Sequence, residues 1–190
     1  MTSLHLSRPH AIMMVGTPGS GKSFFAKQFA DTFNAPYVDA LTLTSYAKDV
    51  PSAMKLVTAF AHQIIRTGQT FVYEGDTDTP ALRAEFTQFA SKNGYKAVLV
   101  WVQVDEKTAK DRTVKAGKMD ADTFNEVIAG FVAPKPAEKP IVISGKHTYA
   151  TQAKAVLSHL SHSARPVAAT PLAPERKLQP LERRAISVRS

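Results

Sequence analysis

Apolar and polar positions follow two different periods along the chain. Short, nearly continuous apolar runs predict strands, and the segments between them repeat apolar residues every three or four positions, the spacing of one helix face. The predicted strands are residues 10–15, 36–39, 70–74, 96–104 and 141–143. Because strands and helices alternate, the order predicts an α/β fold with a mostly parallel five-stranded sheet and helices on both of its faces.

The helical segments carry apolar stripes that predict their buried faces. After the first strand the stripe is Phe25, Phe29 and Phe33. In a helix predicted over residues 52–67 it is Met54, Val57, Ala61, Ile64 and Ile65. Thr79 and Pro80 predict the start of a helix that buries Leu82, Phe86 and Phe89. Three later helices are predicted over residues 106–115, 120–131 and 148–160, the first of them capped by Asp105.

The first predicted strand leads into a glycine-rich loop, residues 16–23, which has the pattern G-x-x-x-x-G-K-S and precedes a helix. Backbone N–H groups of such a loop and the start of the helix surround phosphates. Lys22 is expected to reach the β- and γ-phosphates, and the Ser23 hydroxyl to coordinate Mg²⁺. The pattern therefore predicts a three-layer P-loop NTPase fold that binds ATP and Mg²⁺. The predicted nucleotide contacts are Gly16, Thr17, Pro18, Gly19, Ser20, Gly21, Lys22, Ser23, Phe24 and, from a later helix, Arg112.

Carboxylates stand at the ends of the second and third predicted strands, at the sheet edge where open parallel sheets bind ligands. Asp39 is a candidate catalytic base that would take the proton of an attacking hydroxyl. The alternative is that Asp39 caps the following turn. Glu74 and Asp76 are candidates for holding Mg²⁺, directly or through water, or for orienting the acceptor. The alternative for this pair is turn formation, since Gly-Asp-Thr-Asp is a good turn sequence.

Three basic residues lie where the helix after Asp105 breaks into a short loop: Arg112, Lys115 and Lys118. Cations that close over a triphosphate stabilise the charge that develops as the γ-phosphoryl group leaves, so Arg112 is a candidate catalytic residue. The alternative is a solvated helix face, which the nearby Lys107 and Lys110 favour.

Half of the formal net charge of +8 lies in the last 28 residues of the chain, so the basic excess is densest near the carboxyl terminus. Residues 163–190 hold six basic and two acidic side chains and four prolines, with no sustained period. This composition predicts a disordered basic tail behind a single kinase-like domain, residues 1–162. A positive chain attracts polyanions, among them ATP and nucleic acid. The alternative is a tail that only keeps the protein soluble.

Composition and hydropathy also restrict where the protein works. No apolar run approaches the roughly 20 residues that cross a bilayer, so no membrane partner is expected. The first ten residues have no signal-peptide hydrophobic stretch, and we expect a cytoplasmic protein. The absence of cysteine excludes disulfides and thiolate metal sites.

The order of these parts resembles the P-loop kinases related to polynucleotide 5′-kinase and the zeta-toxin-like kinases, which contain an AAA-type ATP-binding domain. Glu74-Gly-Asp-Thr-Asp-Thr-Pro80-Ala-Leu-Arg83 is similar to the family's Asp-Gly-Thr-Asn stretch and its Thr/Asn-Pro-x-x-Arg helix start. Residues 98–104, Arg112 and residues 115–118 are similar to its hydrophobic strand, helix arginine and basic lid. The resemblance covers residues 11–145.

The resemblance implies an ATP-dependent kinase in which Lys22 and Ser23 hold ATP and Mg²⁺ and Asp39 is the general base. Asp76 or Glu74 would support the acceptor pocket. Arg112 would be the arginine of a lid over residues 112–120. The implied acceptor is a hydroxyl on a polynucleotide 5′ end or on a nucleoside-like molecule.

Two positions depart from the family pattern. Thr42 stands where the family usually has an arginine that grips a phosphate of the nucleic acid, three residues after Asp39. Glu74 replaces the commoner Asp and is longer by one methylene. The first departure favours a second hypothesis, a small-metabolite kinase of the zeta-toxin-like or gluconate-kinase-like kind. A third hypothesis is a nucleotide-gated binding module, not a kinase, that docks nucleic acid or an acidic partner through the basic tail.

Overall fold

Five parallel strands form one sheet in the computed structural model, which describes residues 8–163. The strands are β1 His10–Val15, β2 Tyr37–Asp39, β3 Phe71–Glu74, β4 Lys96–Gln103 and β5 Ile141–Ser144. Their order across the sheet is β2-β3-β1-β4-β5, and each neighbouring pair is parallel. The predicted α/β fold and the five predicted strands are confirmed. Apart from Ser163, the tail predicted at residues 163–190 lies outside the described residues.

Helices connect the strands within the described residues. They are α1 Lys22–Phe33, α2 Ala40–Ser45, α3 Val50–Arg66, α4 Pro80–Lys92, α5 Glu106–Lys115, α6 Ala121–Gly130 and α7 Tyr149–Ser163, with a 3-10 turn at Pro136–Glu138. Between residues 8 and 163, none of these helices combines the length and the apolar character needed to cross a membrane.

The helices cover both faces of the sheet. Phe25 of α1 and Leu160 of α7 belong to one buried apolar cluster. Ile64 of α3 and Ala90 of α4 belong to a second cluster around Phe71 of β3. The sheet is thus the middle layer of three, and the phenylalanine stripe predicted for α1 lies in the core.

Side-chain caps fix where several helices begin. The two predicted caps, Thr79 and Asp105, accept hydrogen bonds from the N–H groups of Leu82 and Thr108 at 3.4 and 2.9 Å. The short helix α2 was not predicted, because its sequence of alternating Leu and Thr has no helical apolar period. Its start is set by a local cap at Asp39 instead.

The buried faces of two helices differ from the prediction. Met54 of α3 is 67% exposed, and its neighbour Ala53 faces the core. Helix α3 packs more extensively on α2 than on the sheet, and α2 is the element that the sequence did not reveal. On α4 the predicted Leu82, Phe86 and Phe89 are only half-buried, whereas Arg83 and Ala90 are buried. A stripe of apolar residues does not identify an arginine as the inward residue.

Arg83 is 1% exposed, and four hydrogen bonds satisfy its guanidinium group. Nε and Nη2 donate to the two carboxylate oxygens of Glu138, at 2.6 and 3.1 Å. Nη1 donates to the carbonyl oxygens of Thr77 and Val132, at 2.9 and 3.0 Å. The hydrogen bonds from Arg83 hold the pKa of Glu138 below its ordinary value. Arg83 therefore joins α4 to the β3–α4 loop and to the segment that follows α6.

Replacement of Glu138 by alanine should lower the free energy of unfolding by about 3 kcal/mol, because it leaves the buried Arg83 charge without its partner. Since the folded pKa of Glu138 lies below the ordinary 4.5, the stabilisation is complete above that pH and is lost as the pH falls through the folded pKa. Urea unfolding between pH 7 and pH 3 measures both effects.

The matched control is Glu126→Ala, which removes an exposed carboxylate of α6. This variant should change the free energy of unfolding by no more than about 0.5 kcal/mol. Equal losses in the two variants, or a loss from Glu138→Ala that does not shrink in acid, would contradict the role of the ion pair.

Candidate active site

The glycine-rich loop joins β1 to α1 at the carboxyl edge of the sheet. Gly21 at the start of α1 supplies no side-chain cap, and the first turn of the helix contains no acidic residue. The N–H groups of this first turn therefore meet no capping side chain and no acidic residue of the turn that would compete with an anion. This conformation agrees with the predicted phosphate-binding loop. Phe24, which was predicted to contact nucleotide, is 58% exposed on α1.

Two glycines allow the loop to pack closely against its neighbours. Gly19 has a φ of +75°, and a Cβ atom there would lie 2.5 Å from Thr113 Oγ1 of α5. A Cβ atom at Gly145, after β5, would overlap the carbonyl oxygen of Ser20. Arg112 spans the same junction, because its Nη1 lies 3.1 Å from the carbonyl oxygen of Gly145 and 3.5 Å from that of Gly19. The loop, α5 and the β5–α7 loop thus form one packed unit, and Arg112 lies beside the phosphate loop, while its role on the ATP phosphates stays a prediction.

The Lys22 ammonium group lies inside the curve of the loop. Nζ donates to the carbonyl oxygens of Gly16 and Thr17, at 2.5 and 3.1 Å. Burial lowers the pKa of Lys22, and the negative charges of Glu74 and Asp78 oppose this shift. Two carboxylates from the β3 end of the sheet therefore act on the lysine predicted to bind phosphate.

Glu74, the last residue of β3, bridges two hydroxyl groups. Ser23 Oγ donates to its Oε1 at 2.7 Å, and Tyr37 Oη of β2 donates to its Oε2 at 2.6 Å. Glu74, and not Asp76, is thus the carboxylate in contact with the serine predicted to bind the metal. Sequence analysis placed Tyr37 in a strand but did not identify it as a site residue. Parallel register explains the contact, since it places Tyr37 beside Val72, two residues before Glu74.

Asp39 lies in register with Glu74 on the neighbouring strand. Its Oδ1 accepts from the Thr42 N–H at 3.0 Å and its Oδ2 from Thr42 Oγ1 at 2.8 Å. The capping interaction that was the alternative for Asp39 is therefore present. A carboxylate has about four lone-pair sites, so two such bonds leave room for another donor. The role of general base stays a prediction.

Asp76 and Asp78 follow β3 in different surroundings. Asp76 is exposed, and its charge, together with burial as the main cause, raises the pKa of Tyr73 to about 12. Asp78 is half-buried, and burial raises its pKa while the charge of Lys22 opposes the shift. The sequence did not single out Asp78, because a turn sequence with two aspartates does not show which one points inward.

The predicted lid residues lie in the last turn of α5 and in the turn that follows it. Lys118 acts electrostatically on Lys22, since its charge contributes to the lowered pKa of that residue. Lys115 is exposed on the last turn of α5. Lys110, which favoured a solvated face, instead donates to Asn125 Oδ1 at 2.9 Å and ties α5 to α6.

A cavity of about 690 Å³ lies beside the loop, at the ends of β4 and β5. It reaches Thr17 and is lined on the other side by Val104, Asp105, Ser144, Lys146, His147 and Gln152, among others. An ion pair of 2.5 Å between Lys146 and Asp105 lies at its rim. The sequence analysis identified Asp105 only as a helix cap, and it did not single out Lys146 and His147 because the β5–α7 loop matches no motif.

The oxygen donors at the loop fit Mg²⁺. The Ser23 hydroxyl and the Glu74 carboxylate are hard oxygen ligands, and Mg²⁺ in phosphate sites takes only one or two carboxylates and completes its shell with phosphate and water. Within residues 8–163, no group of three or more His, Asp and Glu side chains is placed to hold a metal.

Sequence comparison identifies the family. Residues 12–131 match the family described as the AAA domain. The match covers more than half of the chain and contains the phosphate loop, the ends of β2 and β3 and the turn between α5 and α6. The chain therefore belongs to the AAA domain family, which confirms the AAA-type assignment. No curated protein matches the chain.

Solved structures share the fold at low sequence identity. A gluconokinase from Sinorhizobium meliloti 1021 is 14% identical with a TM-score of 0.63, over 82% of this chain and 94% of its own. The APS kinase of Mycobacterium tuberculosis, in complex with AMPPNP and APS, is 16% identical with a TM-score of 0.65, over 81% and 98%. Kti12 of Chaetomium thermophilum, in complex with ADP-AlF3, is 12% identical with a TM-score of 0.65, over 81% and 98%. These likenesses confirm the P-loop kinase fold.

Gly145→Ala should lower the free energy of unfolding by about 1 to 3 kcal/mol, because its methyl group would push the phosphate loop away from the β5–α7 loop. Gly130→Ala is the matched control, since nothing lies within 4 Å of a Cβ atom at that position. Alanine in place of this helical glycine should leave stability unchanged or raise it by up to about 1 kcal/mol. Urea unfolding compares the two variants, and equal stability would show that the close contact at Gly145 does not hold the loop.

Proposed function

We propose that this AAA domain protein is an ATP-dependent phosphotransferase that moves the γ-phosphoryl group of ATP to an acceptor hydroxyl. The observation that carries the proposal is the 2.7 Å hydrogen bond from Ser23 to Glu74, with Asp39 in register on the next strand. It brings together the phosphate loop, a pair of candidate metal-binding oxygens and a candidate base at one edge of the sheet. The nucleotides in the APS kinase and Kti12 structures support ATP as the ligand.

In this proposal the loop residues bind the triphosphate. The backbone N–H groups of residues 16–23 and the start of α1 face the phosphate oxygens, and Lys22 leaves the carbonyl groups of Gly16 and Thr17 to pair with them. Arg112 and Lys118, in the lid that we assign to residues 112–120, add positive charge. Ser23 and Glu74 would hold Mg²⁺, which supplies neutralising charge on the β- and γ-phosphates.

Transfer then needs positioning and charge stabilisation and no covalent enzyme intermediate. The acceptor oxygen forms a bond to the γ-phosphorus as the bond from that phosphorus to the β–γ bridging oxygen breaks. The hydroxyl proton passes to Asp39, and ADP leaves. The Thr42 hydroxyl and N–H group hold the Asp39 carboxylate in a fixed orientation during this step.

A small hydroxyl compound, nucleoside-like or sugar-like, is the acceptor that the β2 edge favours. Position 42 carries an uncharged threonine, and its N–H and hydroxyl groups both donate to Asp39. This position therefore offers no cation for the phosphate of a nucleic acid. The net charge of +8 favours the second candidate, a polynucleotide 5′-hydroxyl. Under either acceptor, the proposed chemistry at Asp39 is the same.

Asp39→Asn should lower the transfer rate by about 10² to 10⁴ while the affinity for ATP is kept. The amide oxygen still accepts from the Thr42 N–H and so preserves the cap, but it takes no proton. Transfer is measured with γ-labelled ATP and ATP affinity by calorimetry.

Asp49→Asn is the matched control, because it makes the same change at another helix cap. Asp49 caps α3 through the N–H of Ser52 at 2.7 Å, in the same manner as Asp39 caps α2. This variant should leave transfer within about twofold of the wild type, as expected for a surface change. Normal transfer by Asp39→Asn would refute the assignment of Asp39 as the base.

Salt dependence should separate the two acceptor classes. A single-stranded polynucleotide held by several phosphate contacts loses affinity with a log–log slope of about −0.7 per contact, whereas a neutral small acceptor shows almost none. The acceptor is first found by a screen of γ-labelled ATP against 5′-hydroxyl DNA and RNA, nucleosides and sugars. Lys22→Ala is the negative control, because loss of the lysine charge should lower the transfer rate at least about 100-fold.

Failure of every acceptor in the screen, together with ATP binding that stays intact, would contradict the kinase proposal and favour the binding module. In that case deletion of residues 163–190 should abolish partner binding without a change in ATP affinity.

A further inference from the structure

We infer that Tyr37 is a positioning residue that holds Glu74 so that the Ser23 hydroxyl presents its lone pairs to the metal of a metal–nucleotide complex. The inference rests on the proposed function, because it assigns a role within the same site. Three side chains from three elements form one chain of hydrogen bonds: Tyr37 of β2 to Glu74 of β3, at 2.6 Å, and Ser23 of α1 to Glu74, at 2.7 Å.

The direction of these bonds decides what each oxygen can do. A hydroxyl group has one proton and two lone pairs. Ser23 donates its one hydroxyl proton to Glu74, so the lone pairs of its oxygen remain available to a cation. Tyr37 donates its one hydroxyl proton to the other carboxylate oxygen of Glu74. Glu74 is thus held at both oxygens, and its orientation fixes that of the Ser23 hydroxyl.

The length of Glu74 explains why such support is needed. Glutamate has one more rotatable bond than the aspartate that is commoner at this position in the resembling kinases, and a longer side chain loses more conformational entropy when it is fixed. Tyr37 lies on the neighbouring strand β2, two residues before Asp39, which is the register partner of Glu74. Its side chain packs against the buried apolar cluster that includes residues of α1 and α7. A rigid aromatic ring anchored in the core therefore holds the free end of a flexible carboxylate.

The direct test is Tyr37→Phe, which removes the hydroxyl and keeps the ring. The affinity for ATP is measured by calorimetry in Mg²⁺ and in EDTA, so that the readout is the tightening caused by Mg²⁺ and not catalysis. Partners that orient metal ligands are worth about 10- to 100-fold in metal affinity or activity. We expect the Mg²⁺-dependent tightening to fall about tenfold, at the lower end of that range, while the affinity in EDTA stays within about twofold.

Tyr149→Phe is the matched control. Its hydroxyl also makes short hydrogen bonds, to Thr32 Oγ1 at 2.7 Å and to the carbonyl oxygen of Gln28 at 3.2 Å. These partners lie in the second half of α1 and not at the loop. The control should therefore leave ATP affinity unchanged in both buffers.

A second pair of variants tests whether Tyr37 acts through Glu74. In a Glu74→Gln background, Tyr37→Phe should have little further effect on the Mg²⁺-dependent tightening, because residues in one hydrogen-bond network are not additive. Full additivity of the two changes would overturn the inference.

The outcomes distinguish this inference from the proposed function. If wild-type protein binds ATP more tightly in Mg²⁺ and Tyr37→Phe does the same, the inference falls and the proposed function stands. Equal weakening in Mg²⁺ and in EDTA would show a structural role for Tyr37 and would also overturn the inference. If the folded wild type binds no ATP in either buffer, the proposed function itself falls.

Discussion

A phosphate-binding loop must keep most of its N–H groups for the ligand, so its own backbone hydrogen bonds can stabilise it only in part; here the Ser20 N–H donates to the carbonyl oxygen of Thr17 at 3.2 Å. The rest of this structure depends on how the neighbouring elements hold that loop. Two glycines meet the requirement: Gly19 lies against α5, and Gly145 lies against the carbonyl oxygen of Ser20. Arg112 lies outside the loop, and its Nη1 donates to the carbonyl oxygens of both glycines. Support therefore comes largely from contacts to the carbonyl oxygens of the loop, which leaves N–H groups other than that of Ser20 for an anion.

The acidic side of the site is held in an equally indirect way. Thr77 Oγ1 donates to the carbonyl oxygen of Met14 at the end of β1, at 2.9 Å, and Arg83 donates to the carbonyl oxygen of Thr77. The Val132 N–H donates to the carbonyl oxygen of Asp78, at 2.9 Å. These bonds connect the loop that carries the carboxylates both to the strand before the phosphate loop and to the segment that follows α6. Because Arg83 is buried and paired with Glu138, movement of the segment that follows α6 would disturb an ion pair that is costly to break.

Apolar periodicity and helix caps were sufficient to predict the three layers of the fold, but they did not predict the side-chain contacts between its elements. The first strand, the phosphate loop and the caps at Thr79 and Asp105 follow from local chemistry, and local chemistry is what a sequence states directly. The hydrogen bond from Tyr37 to Glu74 depends on the register of two strands, and nothing local specifies that register. The burial of Arg83 was not predicted for a related reason, since it is stable only because Glu138, far along the chain, pairs with it.

The two departures from the resembling kinases have local counterparts on the same side of the site. Where those kinases have arginine, Thr42 turns both of its donors to Asp39. Where they usually have aspartate, Glu74 reaches between Ser23 and Tyr37. The two changes lie on α2 and β3, whereas the phosphate loop keeps its full pattern. The nucleotide side of this chain is therefore the common part of the design, and the β2 edge is where its choice of acceptor would be decided.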